Sequence, residues 1–222
     1  LFHSFVRAMS SAVDERTPYN GSHTRHMALY GGRFLDFLNK RAEAEGRGVP
    51  FDPAHKEEVL MSIWLHDLGK LVTPLEVMNK MARLLPEQRT AFLHRMEIVR
   101  MRGEIDLLSG RITKEERAAL IRDTEEAEKL VEAVNGAGFV TDERLAGLVR
   151  LRERTYTEAD GGSRPWLSDE EYAMLCIRKG TLSEEERSVM EEHVSVTDKL
   201  LSQIQFSEDL CHVREWAASH HE

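Results

Sequence analysis

Apolar residues recur along this chain at intervals of three and four, and no stretch alternates residue by residue in the manner of a strand. That period predicts helices over about 1–13, 21–45, 53–68, 86–108, 114–134, 141–152, 169–177, 184–203 and 208–221, and so an all-α fold. The starts are marked. Asp52-Pro53 reads as an N-cap followed by proline at the first helical position. Thr113-Lys114-Glu115-Glu116, Ser168-Asp169-Glu170-Glu171 and Ser183-Glu184-Glu185-Glu186 read as capping boxes. Gly46, Gly48 and Pro50, then Gly136 and Gly138, then Gly161-Gly162 with Pro165, mark stops. The stretch Thr155–Pro165 reads as loop.

Several of these faces carry chemistry. In 53–68 the apolar run Val59, Leu60, Ile63, Trp64 ends on Asp67, and a buried carboxylate is costly unless paired or metal-bound. His66 lies about 100° around the same helix, so both side chains can straddle one point. The plainer reading is a capping Asp beside a surface His. In 21–45, His23 shares a stripe with Met27, Tyr30, Phe34 and Leu38, which points it inward, while His26 falls on the polar side with Arg33. In 184–203, His193 shares a stripe with Glu186, Val189, Met190, Thr197, Leu200 and Leu201. The last helix, with Val213, Trp216 and Ala217 inward, ends in His220-His221. One inward His is more often a satisfied core histidine, and a terminal His pair can be a tag remnant. Five together with an aspartate are better explained by a shared cation. Imidazole with carboxylate suits Fe, Mn, Zn, Co or Ni rather than Mg or Ca. A single Asp among them can bridge two ions about 3.5–4 Å apart. His94 can face either way, and His3, His55 and His212 read as surface.

Composition narrows the partners. The 222 residues carry 30 Lys and Arg against 39 Asp and Glu, a net charge of −9, which argues against duplex nucleic acid. An anionic small substrate remains open, because one local cation outweighs a diffuse acidic surface. The two cysteines, Cys176 and Cys211, form no CxxC pair. A disulfide scaffold and a cysteine-based zinc site are therefore not expected, and a reducing cytoplasm is the simplest compartment. No run approaches the roughly 18 apolar residues of a membrane span. The start at Leu1 suggests a segment of a longer chain.

With those residues in view, the chain resembles the HD superfamily of metal-dependent phosphohydrolases, and more closely its HD-GYP branch. The matching blocks are Asp14-Glu15-Arg16-Thr17-Pro18-Tyr19 with Gly21-Ser22-His23, then His66-Asp67-Leu68-Gly69-Lys70 with Pro74. They continue with Arg178-Lys179-Gly180-Thr181-Leu182 running through Ser183 to Arg187, Met190-Glu191-Glu192-His193, and His220-His221-Glu222. The resemblance covers about 1–80 and 175–222. It implies one HD-like helical bundle over 1–222, with an inserted helical region at about 85–170.

The resemblance further implies two divalent metal ions, Fe or Mn first, with Zn, Co or Ni as alternatives. His23 and His66 would serve one metal, His193, His220 and His221 the other, and Asp67 would bridge them. Lys70 would contact a phosphate oxygen. The implied reaction is hydrolysis of a cyclic dinucleotide such as cyclic di-GMP by a metal-bridging hydroxide, in a cytoplasmic signalling protein. An upstream sensor or receiver domain and a homodimer are compatible with it. The alternatives are a phosphohydrolase of another nucleotide, or a degenerate HD module that binds metal or ligand without turnover. Tyr19 stands where three-metal members carry Glu, so two metals are expected. The chain ends before the Asp-Gly-x-Gly-Tyr-Pro segment of the branch and the later metal-binding Asp.

Overall fold

A computed structural model describes residues 2–16, 21–158 and 161–221. Tyr19, on which the expectation of two metals rather than three rests, and the terminal Glu222 lie outside the described residues. The fold is all-α, with 68% helix against 4% strand. The helices are α1 Phe2–Asp14, α2 His23–Ala44, α3 Pro53–Leu65, α4 Leu75–Met78, α5 Pro86–Leu108, α6 Lys114–Asn135, α7 Asp142–Arg152, α8 Asp169–Leu175, α9 Glu184–Leu201 and α10 Val213–Ala218. A 3-10 turn, Leu68–Leu71, follows α3, and another, Glu208–Leu210, precedes α10.

The chain divides into two compact units: Leu1–Asn79 with Glu185–Glu222, and Lys80–Glu184. The second reaches beyond the expected 85–170 at both ends.

In the first unit α3 is central and packs against α1, α2 and α10. Its core gathers Val6, Val13, Met61, Leu65, Leu68, Leu201, Val213 and Ala217. Asp52 starts α3 as expected, its side chain accepting from the His55 backbone N–H. The helix does not run to 68. It stops at Leu65, and His66-Asp67 lead into the 3-10 turn, whose Gly69 lies against α9.

The inward face of α2 differs from the expected one. Thr24, Ala28 and Leu35 are buried, whereas Met27, Tyr30 and Phe34 are exposed. The cause is the close seating of α2 on the Ile63 side chain of α3. A Cβ on Gly31 would meet Ile63 Cδ1 at 2.6 Å, so the small-residue face, not the large apolar one, seats on α3.

In the second unit α5, α6, α7 and α8 enclose a separate core around Phe92, Met96, Val131, Leu148, Trp166 and Leu175. Two of the expected capping boxes form, at Thr113 with Glu116 and at Ser168 with Glu171. Arg83, fully buried, donates to the carbonyls of Val134, Ala137 and Ile177, satisfying the C-terminal end of α6. The stretch expected as loop contains a hairpin, β1 Thr155–Thr157 paired antiparallel with β2 Ser163–Pro165. Three residues per strand are too few to show alternation. The hairpin is held from outside its own sequence, by Arg102 donating to the carbonyls of Thr157 and Glu158.

Candidate metal centre

Asp67 sits just past α3, buried, with its two carboxylate oxygens facing two different groups of imidazoles. Oδ2 lies 3.1 Å from His66 Nε2 and 3.9 Å from His23 Nε2. Oδ1 lies 3.5 Å from His193 Nε2 and 3.9 Å from His220 Nε2. The rings of His193 and His221 are 5.1 Å apart, and those of His220 and His221 4.3 Å. All six residues singled out as ligands therefore meet within the first unit. They form two donor groups able to hold metal ions, His23 with His66 and Asp67, and His193 with His220 and His221.

The imidazoles are oriented by the backbone. His66 Nδ1 meets the carbonyl of Ile63, His193 Nδ1 that of Met190, and His220 Nδ1 that of Ala217, each three residues earlier. A carbonyl only accepts, so each Nδ1 must carry the hydrogen, and a neutral ring presents a bare Nε2. The Nε2 atoms of His193 and His220 face each other at 3.2 Å. Two bare lone pairs that close repel unless a proton or a cation lies between them. Burial pushes the pKa of both rings down, which disfavours the proton. The donor chemistry thus fits a bound cation.

Burial alone would raise the Asp67 carboxyl. The His66 hydrogen bond and charge, joined by Lys70, outweigh it and hold the group far below the usual carboxylate range. Lys70 Nζ is 2.7 Å from Asp67 Oδ2, so the ammonium stands at the same oxygen as His66 and His23. His23 is 43% exposed at its side chain, which puts it at the mouth of the cluster rather than inside it.

Four residues set this geometry. Asp14 accepts from the Thr24 backbone N–H at 3.1 Å and from its hydroxyl at 2.9 Å, pinning the first turn of α2 and with it His23. Arg16 donates to the carbonyls of Lys70 and Thr73. Both belong to the block at 14–19 of the sequence. Thr197, fully buried on α9, accepts from the Gly69 N–H at 2.8 Å and donates to the His66 carbonyl at 3.1 Å. It lies one helical turn after His193, on the stripe that marked that histidine as inward. Gly69 is the fourth. Its backbone leaves no room for a side chain against α9. Its glycine in the His-Asp-Leu-Gly-Lys run was the available signal.

Comparison with known protein families, with curated proteins and with solved structures finds no match for this chain. No helix among the described residues is long and apolar enough to cross a membrane.

Proposed function

We propose that this chain is an HD-type, metal-dependent phosphohydrolase that cleaves a phosphodiester of a cyclic dinucleotide such as cyclic di-GMP. The observation that carries the reading is Asp67, which offers Oδ2 to one histidine group and Oδ1 to the other. A carboxylate shared in this way suits a two-cation site. The mixed imidazole and carboxylate donor set suits Fe, Mn, Zn, Co or Ni, and the family resemblance puts Fe or Mn first.

Bound there, divalent cations supply Lewis acidity toward a phosphoryl oxygen and an activated water. The chain's own residues do the rest. The carbonyls of Ile63, Met190 and Ala217 hold three imidazoles in one tautomer and one direction. Burial of His193 and Asp67 keeps water from competing for the donors. Lys70, whose Nζ stands 2.7 Å from Asp67 Oδ2, is placed to neutralise negative charge that develops on the phosphoryl oxygens. Exposed Met27, Tyr30 and Phe34 follow His23 along one face of α2, and such a face suits contact with a planar base.

The second reading is a binding module without turnover. It is favoured by the sparseness of the first group, which has two imidazoles against three and an exposed His23. The test is metal analysis of anaerobically purified protein with a cyclic di-GMP hydrolysis assay. Metal together with a linear product supports the enzyme. Metal with no product from cyclic or linear nucleotides supports the module.

A further inference from the structure

A second set of donor atoms lies in the same unit, away from Asp67. Glu58 on α3 is buried, with 4% of its surface exposed. Its Oε1 accepts from the His212 backbone N–H at 2.7 Å and lies 3.1 Å from His212 Nδ1. Cys211 Sγ lies 3.3 Å from the same Nδ1. Thiol, imidazole and carboxylate atoms all fall within 4.8 Å of one another.

Hydrogen bonding explains only part of this. A single Nδ1–H donates to one acceptor, yet sulfur and oxygen both crowd it. His212 is also the one partner of the Glu58 carboxylate among the described residues, and the imidazole is half-exposed. A buried carboxylate calls for firmer charge compensation than that. Zinc bonds of about 2.0–2.3 Å to O, N and S place tetrahedral ligand atoms about 3.2–3.6 Å apart. The spacings around His212 Nδ1, 3.1 Å to Oε1 and 3.3 Å to Sγ, lie within a few tenths of an ångström of that scale, and Sγ, also 3.9 Å from Nε2, would turn toward the Nδ1 lone pair on binding. The ring is already fixed, stacked on Trp216 at 5.1 Å with an interplanar angle of 12°.

We propose that Glu58, Cys211 and His212 form a second metal site, selective for zinc and distinct from the His–Asp cluster. Water fills the fourth position, since Cys211 and His212 face solvent. The expectation against a cysteine-based zinc site rested on paired cysteines; here one thiolate suffices because nitrogen and oxygen complete the set. The role is positional. Glu58 stands eight residues before His66, and His212 eight before His220. A zinc ion joining them would clip α3 to the start of α10, whose far ends lead into His66-Asp67 and into His220-His221.

Cobalt(II) titration of the metal-stripped full chain, in a non-thiol reductant, tests this. A thiolate ligand gives a near-ultraviolet sulfur-to-cobalt charge-transfer band, which the sulfur-free His–Asp cluster cannot produce. The chain has two cysteines, and Cys176 lies in the other unit. The band should rise to saturation, vanish in Cys211→Ser and persist in Cys176→Ser, whatever further cobalt the His–Asp cluster takes. Glu58→Gln should weaken the cobalt affinity read from this band at least tenfold. Absence of the band in the wild-type chain, its survival in Cys211→Ser, or unchanged affinity in Glu58→Gln would overturn the site and leave Glu58 as a cap for α10. The band reports on Cys211 whatever the His–Asp cluster does, so the two sites can fail separately.

Discussion

Gly69 lies so close to His193 that a Cβ on the glycine would sit 1.9 Å from the His193 carbonyl oxygen and 2.8 Å from its carbonyl carbon. The obstructing atoms are backbone, in the middle of α9, so no rotamer change relieves them. This contact brings the His66-Asp67 turn against the helix that presents His193. Gly69→Ala should therefore cost about 1–3 kcal/mol by overpacking and lower metal content together. Gly21→Ala, with nothing within 4 Å of its Cβ, is the control. Denaturant unfolding and elemental analysis read both effects. A stable, metal-replete Gly69→Ala protein would contradict the contact.

Thr197 holds the same junction by hydrogen bonds. Thr197→Val leaves the buried Gly69 N–H without its acceptor, a loss of about 1–3 kcal/mol. Thr197→Ser keeps the hydroxyl and should recover most of the stability and metal content. If valine is as good as threonine by thermal unfolding and metal analysis, the hydroxyl is not holding the turn.

Lys70 separates binding from turnover. Lys70→Ala should retain metal and lower kcat about 10²–10³-fold, the scale of removing one charge-stabilising donor. Steady-state kinetics with metal analysis on the same sample distinguish this from site collapse. Loss of metal with no residual cluster would assign Lys70 a structural role instead.

Metal uptake should depend on pH through His66. Burial pushes its pKa down, but the Asp67 carboxylate outweighs burial and leaves it above the ordinary 6.5. His193 and His220 are shifted the other way and stay neutral near pH 7. Below that raised pKa, a cation taking His66 Nε2 must displace a proton. Apparent affinity therefore rises with pH up to the raised pKa of His66 and levels off above it. Calorimetry at about pH 6 in buffers of different ionisation enthalpy should report proton release. Heats independent of buffer would contradict the assignment.

The histidine cluster was largely legible in the chain because His23, His66, Asp67, His220 and His221 sit at or near helix ends, while His193 lies on the buried stripe of α9. The stripe His193, Thr197 and Leu201 is buried as its period implied. Period alone misled for α2. It identifies a face but not what covers it, and the small face of Thr24, Ala28 and Gly31 approaches α3 where the large apolar face cannot. His23 reaches the cluster from the exposed side, not from the core. The hairpin at 155–165 and the Glu58, Cys211 and His212 cluster were illegible for a different reason. Each depends on partners far apart in sequence, Arg102 in one case and Glu58 in the other.

The shared carboxylate is best tested by counting metal in four proteins purified anaerobically: wild type, His66→Ala, His220→Ala and Asp67→Ala. With Fe and Mn counted apart from zinc, the wild type should hold about two equivalents, each histidine variant should lose metal in part, and Asp67→Ala should lose nearly all of it. Full Fe and Mn content in Asp67→Ala would contradict the bridging role and with it the proposed chemistry.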